Sequence, residues 1–278
     1  MRSLLFALAV VLVCLLPASA QKPVAAPPDI LQVYRDPVKP GKMPEYTKVE
    51  GEAAQACSRA NTWPYVTMQS VTGPQEVWFV SGFETYAAME KSAEPFVRNI
   101  ALSQELGRLM EAKTNLVTEP RTVFLRYRDD LGRNSGLVPP GTRFFTVTWV
   151  SVNPGHEREY EESQRIIRGV RERAAAADNR AIYQVISGMQ GNLYLTFSPY
   201  RSFRAAAESL DGLLDLDDLD EGVRGRLREL TSISVGRSET FIFSISPPMS
   251  NPAGEWIADD PEFWKSSPPL QRQGTAKR

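Results

Sequence analysis

The single histidine of the chain is the first residue whose type could do chemistry. His156 follows Pro154-Gly155 at the predicted start of a helix, where it could serve as a haem ligand or a general base. Helix starts are usually solvated, and Lys42 takes the matching place in a similar earlier stretch, which favours a surface residue. One histidine excludes zinc sites that need two or three. His156 is also the only histidine that a Ser-His-Asp triad could use, and the sequence has no G-x-S-x-G turn to accompany it.

The sequence pattern favours a structural role over a chemical one for Cys57 and for an acidic run near residue 215. Cys57 lies on the apolar stripe of a predicted helix, which is typical of a small core residue rather than a reactive thiolate. The acidic run at residues 211–221 lacks the alternating carboxylates and central glycine of a calcium loop. Leucines interrupt that run, so its acids are predicted to form a solvated face. No phosphate-binding or dinucleotide-binding glycine motif is present.

The beginning of the chain predicts export. Arg2 precedes an apolar run at residues 4–16, and the small residues 18–20 resemble a cleavage site. We expect residues 1–20 to be a signal peptide, whose cleavage removes Cys14. The mature protein should begin at Gln21 and be periplasmic or secreted. The formal net charge of −1 gives no electrostatic case for nucleic acid. Cys57 would remain as the only cysteine, which excludes an intramolecular disulfide, and no second apolar run is long enough to span a bilayer.

An internal repeat provides the elements that would position any site. Pro40-Gly41 and Tyr46 recur as Pro154-Gly155 and Tyr160. The stretch at residues 70–73 recurs at 185–188, and the stretch at 122–125 recurs at 240–243. In each copy the apolar residues first alternate as in a strand and then recur at helical spacing. A predicted hairpin, a second stretch of helical spacing and a final strand follow. The order predicts a ferredoxin-like βαββαβ unit written twice.

The same periods predict the domain boundaries. An N-terminal segment at 21–29 precedes the first repeat at 30–128, a linker at 129–143, the second repeat at 144–246 and a Pro-rich polar tail at 247–278. We expect Trp256, Phe263 and Trp264 to anchor part of the tail. The second helical region of the first repeat should break near Pro95. Its predicted buried face comprises Phe96, Ile100, Leu106 and Leu109.

The residues around each Pro-Gly resemble the dimeric α/β-barrel superfamily, which includes antibiotic-biosynthesis-monooxygenase-like and NIPSNAP-like domains. The resemblance rests on residues 38–42 with Tyr46 and residues 152–156 with Tyr160, and it spans 30–128 and 144–246. It implies an α+β fold in which two tandem ferredoxin-like units pack sheet to sheet as a barrel within one chain. Similar proteins include cofactor-free quinol oxygenases, haem-degrading enzymes and chlorite-dismutase-like haem proteins, so the fold leaves the function open.

The resemblance also implies a cavity on the sheet face away from the helices, and strand alternation predicts its lining. Leu31, Val33, Phe145 and Val147 should face the helices, and Gln32, Tyr34, Thr146 and Thr148 the cavity. The candidate ligand-binding residues are Tyr34, Gln69, Trp78, Arg126, Thr148, Gln184 and Tyr194. Polar groups among aromatic rings suit a small organic ligand. The alternative is a hydrogen-bonded polar seam between two sheets.

Three functions compete on this sequence. The first is a non-catalytic module that binds a small organic molecule or a partner, without a cofactor. The second is a cofactor-independent monooxygenase-like enzyme for an aromatic or quinol substrate, in which Arg126 stabilises a phenolate and Gln69 and Gln184 orient it. If side chains fill the space between the sheets, an enzyme that acts in that space is ruled out. The third is a haem protein, which would depend on His156 alone. The first is favoured, and the sequence leaves the oligomeric state open.

Overall fold

The computed structural model describes residues 26–132, 138–173, 179–211 and 219–265. The predicted signal peptide and most of the acidic run therefore lie outside the described residues. No helix among the described residues is long and apolar enough to cross a membrane.

The first half of the molecule follows the predicted βαββαβ order. Its strands are β1 (Ile30–Pro37), β2 (Val66–Ser70), β3 (Glu76–Phe83) and β4 (Arg121–Tyr127). Its helices are α1 (Met43–Arg59), α2 (Tyr86–Ser92), α3 (Glu94–Arg98) and α4 (Ile100–Lys113).

The second half repeats that order and is followed by three short helices. Its strands are β5 (Phe144–Val152), β6 (Ala181–Ser187), β7 (Leu193–Tyr200) and β8 (Val235–Ile245). Its helices are α5 (Glu157–Arg173), α6 (Phe203–Asp211) and α7 (Glu221–Ser234). A 3-10 helix (Pro247–Met249), α8 (Gly254–Asp259) and α9 (Pro261–Lys265) follow.

The eight strands close into one antiparallel barrel in the order β1-β3-β2-β8-β5-β7-β6-β4. Each half contributes a four-stranded sheet, and the edge strand β2 or β6 pairs with the last strand of the other half. Closure leaves neither sheet with a free edge. The predicted α+β fold, with two tandem ferredoxin-like units joined as a barrel, is confirmed.

Most of the interior of the barrel is apolar. One continuous cluster of buried side chains draws on all eight strands, from Leu31 and Val33 on β1 to Phe243 and Ile245 on β8. Two smaller clusters lie on the outer side of the sheets, beneath the helices of the first and second halves. The hydrophobic effect therefore joins the halves mainly through the faces that their own helices do not cover.

The repeated Pro-Gly pair serves the turn from the first strand of each half to its first helix. Gly41 has a φ of 75° and Gly155 a φ of 86°, in the left-handed region that glycine enters without steric cost. Pro44 then lies in the first turn of α1, where its missing N–H costs no helical hydrogen bond. This local requirement explains why the pair occurs in both copies.

The helical region after β3 differs in its details from the prediction. It breaks into three pieces around Pro95, because Asn99 leaves the helical conformation and its side chain accepts a hydrogen bond from the Leu102 N–H, which starts α4 anew. The new helix buries Leu102, while Leu106 and Leu109 of the expected face are half-buried. Phe96 is 40% exposed and Ile100 is 71% exposed, so their predicted burial is wrong.

The C-terminal helices close the end of the barrel at which β5 begins. Trp264 belongs to the interior cluster, and Trp256 and Phe263 pack against it. Arg143, just before β5, forms an ion pair of 2.6 Å with Asp260 and stacks over the Phe263 ring at 3.8 Å. Residues 247–265 are thus part of the folded barrel.

Candidate functional site

In the first strand of each half, the side chains face the opposite way to the prediction. Leu31, Val33, Phe145 and Val147 belong to the barrel interior. Tyr34 instead lies on the helix side, where Lys113 from α4 sits 4.9 Å from its ring centre. A solvent-filled cavity between the sheets would need a polar lining and would leave the apolar side chains facing the helices. The apolar face is the one on which the sheets meet, so Gln32, Thr146 and Thr148 face the helices as well.

Among the other predicted cavity residues, only Trp78 lies in the interior cluster. Gln69 pairs with Val77 and Gln184 with Tyr194, and these partners pack on the helix side. Tyr194 donates a hydrogen bond of 3.0 Å to Glu161 on α5.

Arg126 is exposed and lies 3.5 Å from the Tyr86 hydroxyl, so it also points away from the interior. The register also shows which residues of the two halves correspond. Val33 pairs with Val80 and its equivalent Val147 with Phe197, so the register matches Trp78 to Leu195.

A strip of partly exposed side chains lies on the helix side of the first sheet, and we call it the first-half groove. Two cross-strand rows form it, and its members are Phe124, Gln32 and Ser81 in one row and Thr122, Tyr34 and Phe79 in the other. Tyr34 and Phe79 have ring centres 6.1 Å apart, and Tyr65 meets Phe79 edge-on at 5.8 Å. The groove thus combines aromatic surface with amide and hydroxyl groups.

The helices above this strip explain its exposure. Neither α2 nor α3 has a buried residue, and α4 buries only Leu102 and Lys113. In the second half, by contrast, α6 lies against β5 and β7 and fully buries Ala206. The matching second-half row, Ile242, Thr146 and Ser198, is buried. Water therefore reaches the middle of the first sheet but little of the second.

A buried ionic cluster adjoins the groove beside Tyr34. The Lys113 ammonium lies 3.0 Å from Asp36 and 2.9 Å from Glu50, and all three side chains are at most 7% exposed. The Tyr46 hydroxyl donates a hydrogen bond of 2.6 Å to Asp36 Oδ2. The other Asp36 oxygen is buried without a hydrogen-bond partner among the described residues. Two carboxylates share one cation here, in a place where charge is costly.

Burial and charge act on this cluster in opposite directions. Burial raises the pKa of Glu50, although Lys113 opposes that shift. Burial alone would lower the pKa of Lys113, but the two carboxylates outweigh it and the pKa rises. Burial also raises the pKa of Tyr34 despite the nearby ammonium. Lys113 is therefore charged at neutral pH, and Tyr34 presents a neutral hydroxyl that can donate a hydrogen bond.

Sequence reasoning missed the ionic cluster. Glu50 interrupts the side of α1 that carries Tyr46, and that interruption was the one available signal. Nothing in the sequence pairs Glu50 with Lys113, which is far along the chain. Among the described residues, no group of three or more His, Cys, Asp or Glu side chains could hold a metal ion.

His156 and Cys57 have the surroundings that the sequence favoured. The His156 side chain is 42% exposed and its Nδ1 lies 3.7 Å from Glu159. Cys57 is a buried free cysteine, and burial raises the pKa of its thiol. A thiol in that state is a weak nucleophile.

No protein-family model and no curated protein sequence matches this chain. Solved structures do share its fold. A candidate monooxygenase from Lactobacillus acidophilus NCFM matches with a TM-score of 0.50 at 8% identity, over 78% of this chain and 93% of its own. A candidate monooxygenase from Fusobacterium nucleatum matches with a TM-score of 0.53 at 12% identity, over 79% and 93%.

An anthrone oxidase-like protein matches with a TM-score of 0.51 at 16% identity, over 81% of this chain and 94% of its own. Identities this low concern the fold. The closed eight-stranded barrel of this chain is consistent with the dimeric α/β-barrel superfamily.

Proposed function

We propose that this protein binds a small planar aromatic molecule in the first-half groove, without catalysing a reaction. The observation that carries the proposal is the partial exposure of Tyr34 and Phe79 on a sheet whose second-half counterpart is largely closed. A planar ring can pack against these side chains edge-on or offset, as aromatic pairs prefer. Gln32 and Ser81 in the adjoining row offer hydrogen bonds that would orient a hydroxyl or carbonyl substituent.

The electrostatics favour a neutral ligand. Lys113 is neutralised by two carboxylates, so the cluster offers no free cation to an anionic guest. The neutral Tyr34 hydroxyl is the groove's polar group closest to that cluster. A phenol or an aromatic ketone fits this combination better than a carboxylate does.

Isothermal titration calorimetry with 2-naphthol tests the binding. We expect saturable binding that weakens about tenfold or more in Tyr34→Ala, since an aromatic contact contributes about 0.5–1.5 kcal/mol beyond its buried area. Thr148→Ala is the matched control, because Thr148 holds the position equivalent to Tyr34 in the second half. Equal weakening in both variants, or no saturable binding to the unaltered protein, would overturn the proposal.

A second candidate function is a cofactor-independent oxygenase, and the neighbours named above favour it. An electron-rich substrate such as anthrone can reduce oxygen itself, giving anthraquinone and water. The Tyr34 hydroxyl would then stabilise negative charge on the substrate oxygen, as a preformed hydrogen-bond donor does. The groove is the place for this reaction in our proposal, because buried side chains occupy the space between the sheets, where the sequence predicted the substrate to bind.

Oxygen uptake with anthrone separates the two candidates. Uptake above the uncatalysed rate that Tyr34→Phe removes and Thr148→Val retains would favour the enzyme. Binding of 2-naphthol without anthrone-dependent uptake would favour the binding protein.

A further inference from the structure

A second polar site lies at the opposite end of the barrel from the C-terminal helices. A partly open cleft of about 290 Å³ is lined by Arg35, Pro37, Glu76, Thr118, Glu119 and Arg121. These residues come from the end of β1, the start of β3 and the approach to β4. The cleft is separate from the first-half groove, because Arg35 points to the inner side of the sheet and Tyr34 to the outer side.

Arg35 is held rigidly at the base of this cleft. It forms three hydrogen bonds of 2.7–3.2 Å with Glu76, and the Trp78 indole also donates to that carboxylate at 2.8 Å. Its guanidinium lies 4.3 Å from the ring centre of Trp149, on the other side of the barrel. These contacts fix the guanidinium plane before any ligand arrives, so little side-chain entropy remains to be lost on binding.

Arg121 brings a second guanidinium to the same cleft. It is the direct register partner of Arg35 across β1 and β4, so two like charges stand opposite each other. Like charges in such a cross-strand pair are destabilising. The contact of Arg121 with Glu119 is 3.1 Å long, but the side chains are 57% and 79% exposed, so solvent weakens it. The second guanidinium is therefore readily available to an anion.

We propose that the cleft binds a small organic carboxylate, with the exposed Arg121 as its cationic contact beside the fixed Arg35–Glu76 pair. The planar guanidinium of Arg121 matches a carboxylate with two parallel hydrogen bonds. Glu76 stays bound to Arg35 and Trp78, and the anion takes the place of the exposed Glu119 on Arg121. The volume limits the ligand to about the size of a substituted benzoate, below most drug-sized pockets.

Titration calorimetry with sodium benzoate tests the site on the intact protein. We expect saturable millimolar binding that weakens at least tenfold in Arg121→Gln and with added salt, and no binding of neutral benzamide. Arg121→Lys should fall between, because it keeps the charge but loses the planar fork. Arg237→Gln is the matched control, since Arg237 forms a similar exposed strand pair with Glu239 in the second half.

Benzoate binding that is unchanged in Arg121→Gln, or no saturable binding at all, would overturn the inference. The 2-naphthol affinity should stay unchanged in Arg121→Gln, so the two sites fail or succeed independently.

Discussion

The two halves share a strand order and a barrel interior, but they differ on the side that faces their helices. The first half has Asp36, Glu50 and Lys113 buried together beneath its helices. The positions equivalent to Asp36 and Glu50 in the second half are Val150 and Gln164. Gln164 accepts a hydrogen bond of 3.3 Å from Arg180, and the Glu161 carboxylate on α5 pairs with arginines in a partly exposed place.

This difference teaches which positions the packing of the two halves constrains. Interior positions stay apolar in both halves, because each half closes the sheet of the other. The helix side packs only against the helices of its own half, so it is partly exposed in the first half and covered in the second. A site is expected on the side that packing leaves free, and the groove lies there.

The largest expected effect comes from removing the buried cation. Lys113→Met should lower the free energy of unfolding by about 3–5 kcal/mol, because it leaves two buried carboxylates without their partner. Urea denaturation gives the value. Arg59→Met is the control, since Arg59 also joins α1 to α4 but in an exposed pair, and it should cost about 1 kcal/mol or less.

The triple variant Asp36→Val, Glu50→Gln, Lys113→Met sharpens the test by making the first half resemble the second. It should recover most of the lost stability, because removing all three charges together leaves no buried charge without its partner. If Lys113→Met lowers the free energy of unfolding no more than Arg59→Met does, the cluster is not the buried charge system that distinguishes the two halves.

The pH dependence of stability should have opposite signs in the two halves. The pKa of Glu50 is raised by burial, so its contribution is present below the ordinary glutamate pKa and is lost as the pH rises through the folded-state value. The pKa of Glu161 is lowered, chiefly by a hydrogen bond from Arg128. Its contribution is present above the ordinary pKa and is lost as the pH falls through the folded-state value.

Urea denaturation between about pH 3 and pH 8 checks both signs, since the ordinary glutamate pKa is about 4.3. Relative to Glu50→Gln, the unaltered protein should lose stability as the pH rises. Relative to Glu161→Gln, it should lose stability as the pH falls. The same sign in both comparisons would contradict the assignment of a desolvated acid to one half and an ion-paired acid to the other.

The smallest expected effect concerns the two helix starts. His156 and Lys42 occupy equivalent, partly exposed positions, each beside a glutamate three residues later. Exchanging their residue types, as His156→Lys and Lys42→His, should change the free energy of unfolding by less than about 0.5 kcal/mol. Thermal unfolding of each variant measures it. A loss of several kcal/mol in His156→Lys alone would reveal a role that the geometry does not suggest.

The sequence predicted the fold well because the repeat, the Pro-Gly turns and the strand periods are local. Gly41 and Gly155 are required by backbone conformation, so they remain visible in a single chain. The predicted facing of the strand side chains was wrong, because alternation defines two faces of a strand without saying which face meets the other sheet. For that reason Leu31 lies in the barrel interior and Tyr34 on the helix side, the reverse of the prediction. The Asp36–Lys113 contact depends on tertiary packing between distant segments, and no sequence period encodes it.

The pairing of β2 with β8 has a consequence for the order in which the protein can be built. The edge strand β2 finds its barrel partner about 175 residues later in the chain, as the contact between Gln69 and Ser244 shows. At ribosomal rates of about 5–20 residues per second, that interval is roughly 10 to 35 seconds. During it the first half has an unpaired strand edge and an uncovered apolar sheet face, both prone to aggregation. A nascent chain of this design depends on protection until its last strand emerges.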